Sequence, residues 1–131
     1  MEQTPPRARA VPGIPKAPMR LHQLGTAPGP LVLAVQGEID PHSATVLEHL
    51  CATLAQDGTT RLVLDLSGVT FMDSVGINTL LHTHRTMTAT GGWLRLICTP
   101  SPTRDTLHLL GLDKVITLHN DLAHALHPPH D

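Results

Sequence analysis

Arg61-Leu62-Val63-Leu64-Asp65-Leu66-Ser67-Gly68-Val69-Thr70-Phe71-Met72-Asp73-Ser74-Val75-Gly76-Ile77 changes its apolar period once, and that change decides the fold. Arg61 to Leu66 is a short run rich in Val and Leu, of the kind that forms a buried strand. From Ser74 the apolar residues Ile77, Leu80, Leu81 and Met87 recur at helical spacing as far as Thr90, where Gly91-Gly92 ends the pattern. Ser67 to Gly76 therefore reads as a strand-to-helix loop, with Asp73 or Ser74 as N-cap and Gly76 in the first helical turn. A glycine there costs up to about 1 kcal/mol relative to alanine, so its presence calls for a close approach to the backbone. Spacing alone leaves two roles open. Ser74 is only a cap and Gly76 only a packing residue, or the loop offers a hydroxyl at a helix N-terminus to a partner surface.

The flanking chain extends the alternation. Met19 to Leu24 alternates apolar and polar residues, Gly25 to Pro30 is turn chemistry, and Leu31 to Val35 is an apolar run ending at Gly37, which together predict a hairpin. Pro41 to Gln56 carries Val46 or Leu47, Leu50, Cys51 and Leu54 at helical spacing, started by Pro41 or Ser43 and stopped at Gly58. After Gly91-Gly92, Trp93 to Cys98 reads as a strand, and Ser101-Pro102 starts a third helix that runs to Leu110 and closes at Gly111. Val115 to Leu118 is the last strand, and Asn120 or Asp121 caps a short helix through Leu126. The order is ββαβαβαβα. An α/β fold follows, a mixed and mostly parallel sheet of about five strands covered by about four helices, with right-handed crossovers and the opening strand antiparallel at an edge. In such sheets function gathers at the carboxyl ends of the strands. Two loops emerge there, Gly37 to His42 and Ser67 to Gly76.

Composition narrows the function classes. A chain of 131 residues with 40% apolar residues supports one cored domain. Phe71 and Trp93 are the only aromatics, too few for a base-stacking platform, and a net charge of -2 releases few counterions from a phosphate backbone. Direct nucleic-acid binding is not expected. No apolar run approaches the roughly 20 residues of a membrane span, and the start of the chain lacks a hydrophobic signal region, so a cytoplasmic protein without membrane contact is expected. Seven of the twelve prolines fall within residues 1–30, and residues 1–18 have no apolar period. They read as a disordered tail, carrying Arg7, Arg9 and Lys16 against Glu2; residues 19–127 are the domain and 128–131 a C-terminal tail. Cys51 and Cys98 have no partners for a disulfide framework or a four-ligand zinc site and read as core residues.

Gly37-Glu38-Ile39-Asp40-Pro41-His42-Ser43-Ala44 followed by Leu62 to Ile77 resembles the two hallmark stretches of STAS domains, the sulfate-transporter and anti-sigma-factor antagonist family, and is close to the bacterial anti-sigma-factor antagonists. The likeness extends from about Met19 to Leu126 and takes in Gly91-Gly92 and Leu110-Gly111-Leu112. The resemblance implies a protein without catalysis of its own and without a cofactor. Ser74 holds the position that such proteins have phosphorylated by an anti-sigma factor that is also a serine kinase, and a serine phosphatase would reverse the modification. By the same resemblance Asp40, His42, Met72, Asp73, Ser74, Val75, Gly76 and Ile77 are the partner-binding residues. The unmodified form would hold the anti-sigma factor and free a sigma factor, and phosphorylation would release it. Two positions depart from the family. Val75 replaces the Ser or Thr often found after the phosphoacceptor, leaving Ser74 as the single hydroxyl at the helix start, and Asn78 stands where a small residue is common.

Other readings compete at individual residues. Asp40 together with Ser43 could simply cap the first helix. Asp65 is placed to fix loop backbone rather than to transfer protons. A Ser74 hydrolase lacks the G-x-S-x-G elbow, and Asp73 is adjacent in sequence and so cannot orient a histidine for Ser74. His124, His127 and His130 form the one dense histidine run, which reads as a solvated C-terminus, and His82 and His84 point to different sides of a helix. No metal site is expected. A second functional class remains, a STAS module that binds a small ligand or serves a transporter-type assembly.

Overall fold

The computed structural model describes residues 18–25 and 29–128. Strand β1 (Arg20–Leu24) is followed by β2 (Leu31–Ile39), α1 (Pro41–Gln56), β3 (Arg61–Met72), α2 (Ser74–Ala89), β4 (Trp93–Ile97), α3 (Pro102–Leu109), one 3-10 turn (Leu112–Lys114), β5 (Thr117–His119) and α4 (Leu122–Leu126). The expected tail lies outside the described residues except for Pro18, as do the last three residues of the C-terminal stretch.

The five strands lie in sequence order, β1 antiparallel at one edge and β2 to β5 parallel. This is the mixed sheet expected from the alternation of periods. Leu31, Leu33 and Val35 of β2, Leu62, Leu64 and Leu66 of β3, and Leu94 and Leu96 of β4 face one side. There they meet Ala44, Leu47, Cys51 and Leu54 of α1, Ile77, Leu80 and Met87 of α2, and Leu107 of α3, forming one apolar core. Within the alternative of Val46 or Leu47, Leu47 is the core residue and Val46 is exposed. The other face carries a smaller cluster, Val32, Val63, Ile97 and Ala125 with Trp93 and Leu126 against it. Among the described residues, only α4 contributes helix residues to it. Arg95 ties that helix down, donating to the Ala125 carbonyl at 2.9 Å while its guanidinium stacks 3.7 Å from the Trp93 ring centre.

Two strands are longer than their apolar runs. β2 continues past Val35 to Ile39, and β3 continues past Leu66 to Met72, so most of the expected loop from Ser67 is strand. The register shows why periodicity stops early. Leu31 pairs with Leu62 and Ile39 with Met72, so β3 uses two more residues than β2 over the same span, with irregularities between Ala34 and Gln36 and between Gly37 and Glu38. Gly37 takes a positive φ of 90° beside the second irregularity, a conformation side-chain-bearing residues rarely adopt. Beyond Asp65, β3 has no β4 partner, and within the sheet its far half pairs with β2 alone, while Thr103 of α3 donates to the Val69 carbonyl at 2.9 Å. Near the other edge, the expected strand over Val115 to Leu118 lies over Thr117–His119, because Gly111 at φ 76° leads into the 3-10 turn that takes up the intervening residues. Of the two expected caps for α4, Asp121 is the one used, its carboxylate accepting from the His124 amide.

Candidate functional site

The site is built where β2 and β3 end side by side. Ile39 and Met72 are register partners, and the next residue on each strand is an aspartate that caps the following helix. Asp40 accepts the Ser43 amide at 2.8 Å and its own amide donates to the Ser43 hydroxyl at 2.9 Å, a reciprocal cap in which serine takes the place usually held by Glu. The Ser43 hydroxyl also bonds the Glu38 carbonyl at 3.1 Å, which ties the end of β2 to the first turn of α1. Asp40 thus fulfils its structural reading in full.

Asp73 does the same for α2 by another pattern. One carboxylate oxygen accepts from the Val75 amide at 3.0 Å and the Gly76 amide at 3.4 Å, and the Asp73 carbonyl accepts from Ile77. Asp73, not Ser74, is therefore the N-cap. Ser74 is left at the first helical position, exposed to solvent. Two donors that a phosphate could otherwise claim are already taken by the Asp73 carboxylate.

Gly76 is buried, and the close approach its identity calls for comes from within the chain. A Cβ at this position would lie 2.5 Å from Met72 Cγ and 3.2 Å from Ile39 Cγ2. The first turn of α2 rests on the ends of the two strands. Ile77 is buried too, so Gly76 and Ile77 support the loop from beneath, Met72 and Asp73 are half-buried, and His42, Ser74 and Val75 form its surface. Phe71 is 49% exposed, one residue before the Met72 that packs under the helix. Its place was hidden in the sequence because Ser67 to Gly76 reads as loop, where alternation carries no meaning; the one clue was a lone Phe among small and polar residues. Phe71 pairs in register with Glu38, one step before the Ile39 and Met72 pair that packs under α2, so its ring points to the other side of the strand from Met72.

The remaining sites raised by the sequence fall elsewhere. Asp65 accepts the Ser67 amide at 3.0 Å, fixing backbone as expected. Cys51 and Cys98 are free and buried, and burial pushes the Cys51 thiol up to about 11. His82 lies 3.8 Å from Glu48 across the α1 and α2 pair, and His124 bonds the exposed Asp121 at 2.8 Å. Among the described residues, no three His, Cys, Asp or Glu side chains converge as metal ligands, and no helix is long and apolar enough to cross a membrane.

A sequential, mainly parallel sheet with paired aspartate-capped helix starts at its carboxyl end matches a known family. The chain belongs to the STAS domain family, whose model matches residues 22–125. Among its relatives is Anti-sigma-F factor antagonist RsfB of Mycobacterium tuberculosis, 38% identical over 98 residues, which make up 75% of this chain and 80% of the relative. Among solved structures, an anti-sigma factor antagonist from Mycobacterium paratuberculosis superposes with a TM-score of 0.75 at 34% identity, covering 85% of this chain and 95% of that one. The phosphorylated form of SpoIIAA, a Bacillus cell fate determinant, shares the fold at a TM-score of 0.62 and 24% identity, with 78% of this chain and 93% of that one covered.

Proposed function

We propose that the chain is a cytoplasmic anti-sigma-factor antagonist that works by partner switching, with residues 19–127 as the regulatory domain and Ser74 as the phosphoacceptor. The observation that carries this reading is the solvent-exposed Ser74 at the first position of α2, directly after the Asp73 cap and before exposed Val75. The names of the relatives at 34% and 38% identity support the antagonist role. In its unmodified form the chain binds an anti-sigma factor with serine kinase activity and so frees a sigma factor. His42, Met72, Asp73, Ser74 and Val75 belong to the contact surface, Asp40 fixes its border, and Gly76 and Ile77 hold it in shape.

Phosphorylation reverses this through charge. A phosphoserine adds about -1.5 to -2 beside the Asp73 carboxylate. At an apolar contact containing Val75 that charge loses water without gaining a partner, so the kinase is released. A serine phosphatase acting on phosphorylated Ser74 restores binding. The chain contributes no acid or base to either step; it supplies the Ser74 hydroxyl, whose oxygen takes the γ-phosphoryl group of ATP as ADP leaves and is released again when the phosphatase transfers that group to water.

The decisive experiment is intact mass of the chain after incubation with anti-sigma-factor kinases and ATP. A single added phosphate, absent in Ser74→Ala, is the expected result. Phosphate on the Ser74→Ala variant refutes the assignment of the acceptor, and loss of kinase binding by unmodified Ser74→Ala refutes the claim that only charge separates the two states.

A further inference from the structure

α1 and α2 start side by side at Asp40 and Asp73 and run in the same direction. Two turns on, their seam opens into a pocket lined by Glu48, Cys51 and Ala52 of α1 and by His82, Thr83 and Thr86 of α2. Ala52, Thr83 and Thr86 are short where packed helices usually interdigitate longer side chains, which leaves room for about one water molecule. The inner wall is polar and unsatisfied. Thr83 is 2% exposed, and its hydroxyl oxygen is buried without a hydrogen-bond partner, a state that an incoming donor relieves. Cys51, equally buried, offers only a thiol, a weak hydrogen-bonding group.

The rim supplies charge. Glu48 and His82 are both about half exposed, and Glu48 is the one acidic residue of the two helices, which hold no Lys and a single Arg, Arg85. Among the described residues, the ion-pair contact of Glu48 is His82 Nε2 at 3.8 Å, too long for a hydrogen bond. Burial raises the Cys51 thiol to about 11, with the Thr83 hydroxyl opposing the rise and the Glu48 carboxylate adding to it. Both oxygen groups thus act on the same point of the pocket. A thiol held protonated offers no thiolate to a soft metal ion, so the pocket suits a cation that is bound through hydrogen bonds.

We propose that this pocket is a socket for a primary ammonium, the tip of a lysine on the partner protein that meets Ser74, with Glu48 as counter-ion and Thr83 as hydrogen-bond acceptor. The inference rests on the Ser74 surface as the partner's seat. An ammonium is compact and carries three donors, whereas the planar fork of arginine is wider than the gap. A neutral hydroxyl would leave Glu48 without a counter-ion, and an apolar tip would leave Thr83 unpaired. His82 follows Ser74 by eight residues, which places the socket about 12 Å along the helix from the switch. A standard interface of about 800 Å² per partner, roughly 30 Å across, covers both. A phosphate on Ser74 lies farther off than the screening length of about 8 Å, so the socket is much the same in either state. It selects the partner, and Ser74 decides when that partner is released.

The test uses the full unmodified chain with carbon-13 in its threonine methyl groups. n-Butylammonium chloride stands in for the lysine tip, tetramethylammonium chloride at equal ionic strength controls for charge alone, and n-butanol controls for the apolar stem. The Thr83 methyl signal should shift saturably with butylammonium, at roughly ten millimolar, and not with the two controls. Glu48→Gln, which removes the counter-ion, and Ala52→Leu, which fills the gap, should each weaken that response at least fivefold. A pocket that holds water only, giving no saturable shift, overturns the inference. So do equal shifts with either control, or a response that Ala52→Leu leaves unchanged. Calorimetry of the same three proteins with an anti-sigma-factor kinase then tests the partner, each substitution weakening binding roughly tenfold through loss of one charge-assisted hydrogen bond. Equal kinase affinities overturn the docking role. If butylammonium saturates as expected while no anti-sigma-factor kinase binds the parent, the functional reading fails and the ammonium socket stands.

Discussion

Ile39 and Met72 face each other across β2 and β3, and both side chains close on the position where Gly76 would carry a Cβ. One pair of strand-end residues thus sets the height of α2 above the sheet and, through it, the exposure of Ser74. Ser74, the proposed phosphoacceptor, is placed by packing two residues away from it in either direction.

Gly76→Ala should therefore destabilise the fold although alanine is the better helix former. The propensity gain is about 1 kcal/mol, whereas overpacking against Met72 and Ile39 costs about 1–3 kcal/mol, so a net loss of up to about 2 kcal/mol is expected. Urea unfolding of the single variant and of Gly76→Ala combined with Met72→Ala measures the coupling. A stabilised Gly76→Ala protein would show that the contact is slack.

Asp73→Ala should cost about 1 kcal/mol and speed amide exchange at Val75 and Gly76, because both amides lose their carboxylate acceptor. Asp73→Asn keeps an acceptor oxygen and should recover most of the loss. Equal stability of all three proteins would mean that water serves the helix start as well as Asp73 does.

Ser74→Glu separates folding from binding. The helix dipole favours negative charge at this end while Asp73 opposes it, so stability should stay within about 1 kcal/mol of the parent. Affinity for the anti-sigma factor should fall by about 2 kcal/mol or more, roughly thirtyfold, because the carboxylate is desolvated at the contact. Calorimetry and thermal melts on the same samples decide it; a variant that unfolds in proportion to its loss of binding contradicts a switch by surface charge.

Alkaline pH should weaken the fold through Cys51. Its thiol ionises at about 11 in the native state, above its usual value of 9.0, so the unfolded chain gives up this proton first as pH rises. The contribution is fully present below pH 9 and is lost between there and about 11, amounting to about 2–3 kcal/mol at most. In Cys51→Ala the decline over that window should be shallower. Thermal midpoints of the two proteins at a series of pH values would expose a parallel decline, which would assign the effect to other groups.

The order of elements was legible in the sequence because punctuation and period agreed: Pro41, Gly58, Gly91-Gly92, Ser101-Pro102 and Gly111 all lie at element ends. The far halves of β2 and β3 were not. Two irregularities in their pairing shift side chains between faces, so the alternation that marks a strand is lost from Gln36 onward and from Ser67 onward. Ser74 stood out through its place after Asp73 at a helix start, a local matter. What Gly76 touches was not legible, since Ile39 lies on another strand and only register brings it near. Phe71 was hidden for the same reason.

The antiparallel β1 gives the domain unlike poles. Pro18 lies at the Ser74 end, whereas α4 lies on the other face, where Leu126 and Trp93, the first residue of β4, pack against the same small cluster. A fluorophore attached at Pro18 would stand at the end of the sheet that carries Ser74, whereas a handle attached after His127 would follow α4 on the other face of the sheet. Sensors of phosphorylation state are best fused ahead of β1, and pull-down handles for unperturbed partners behind α4.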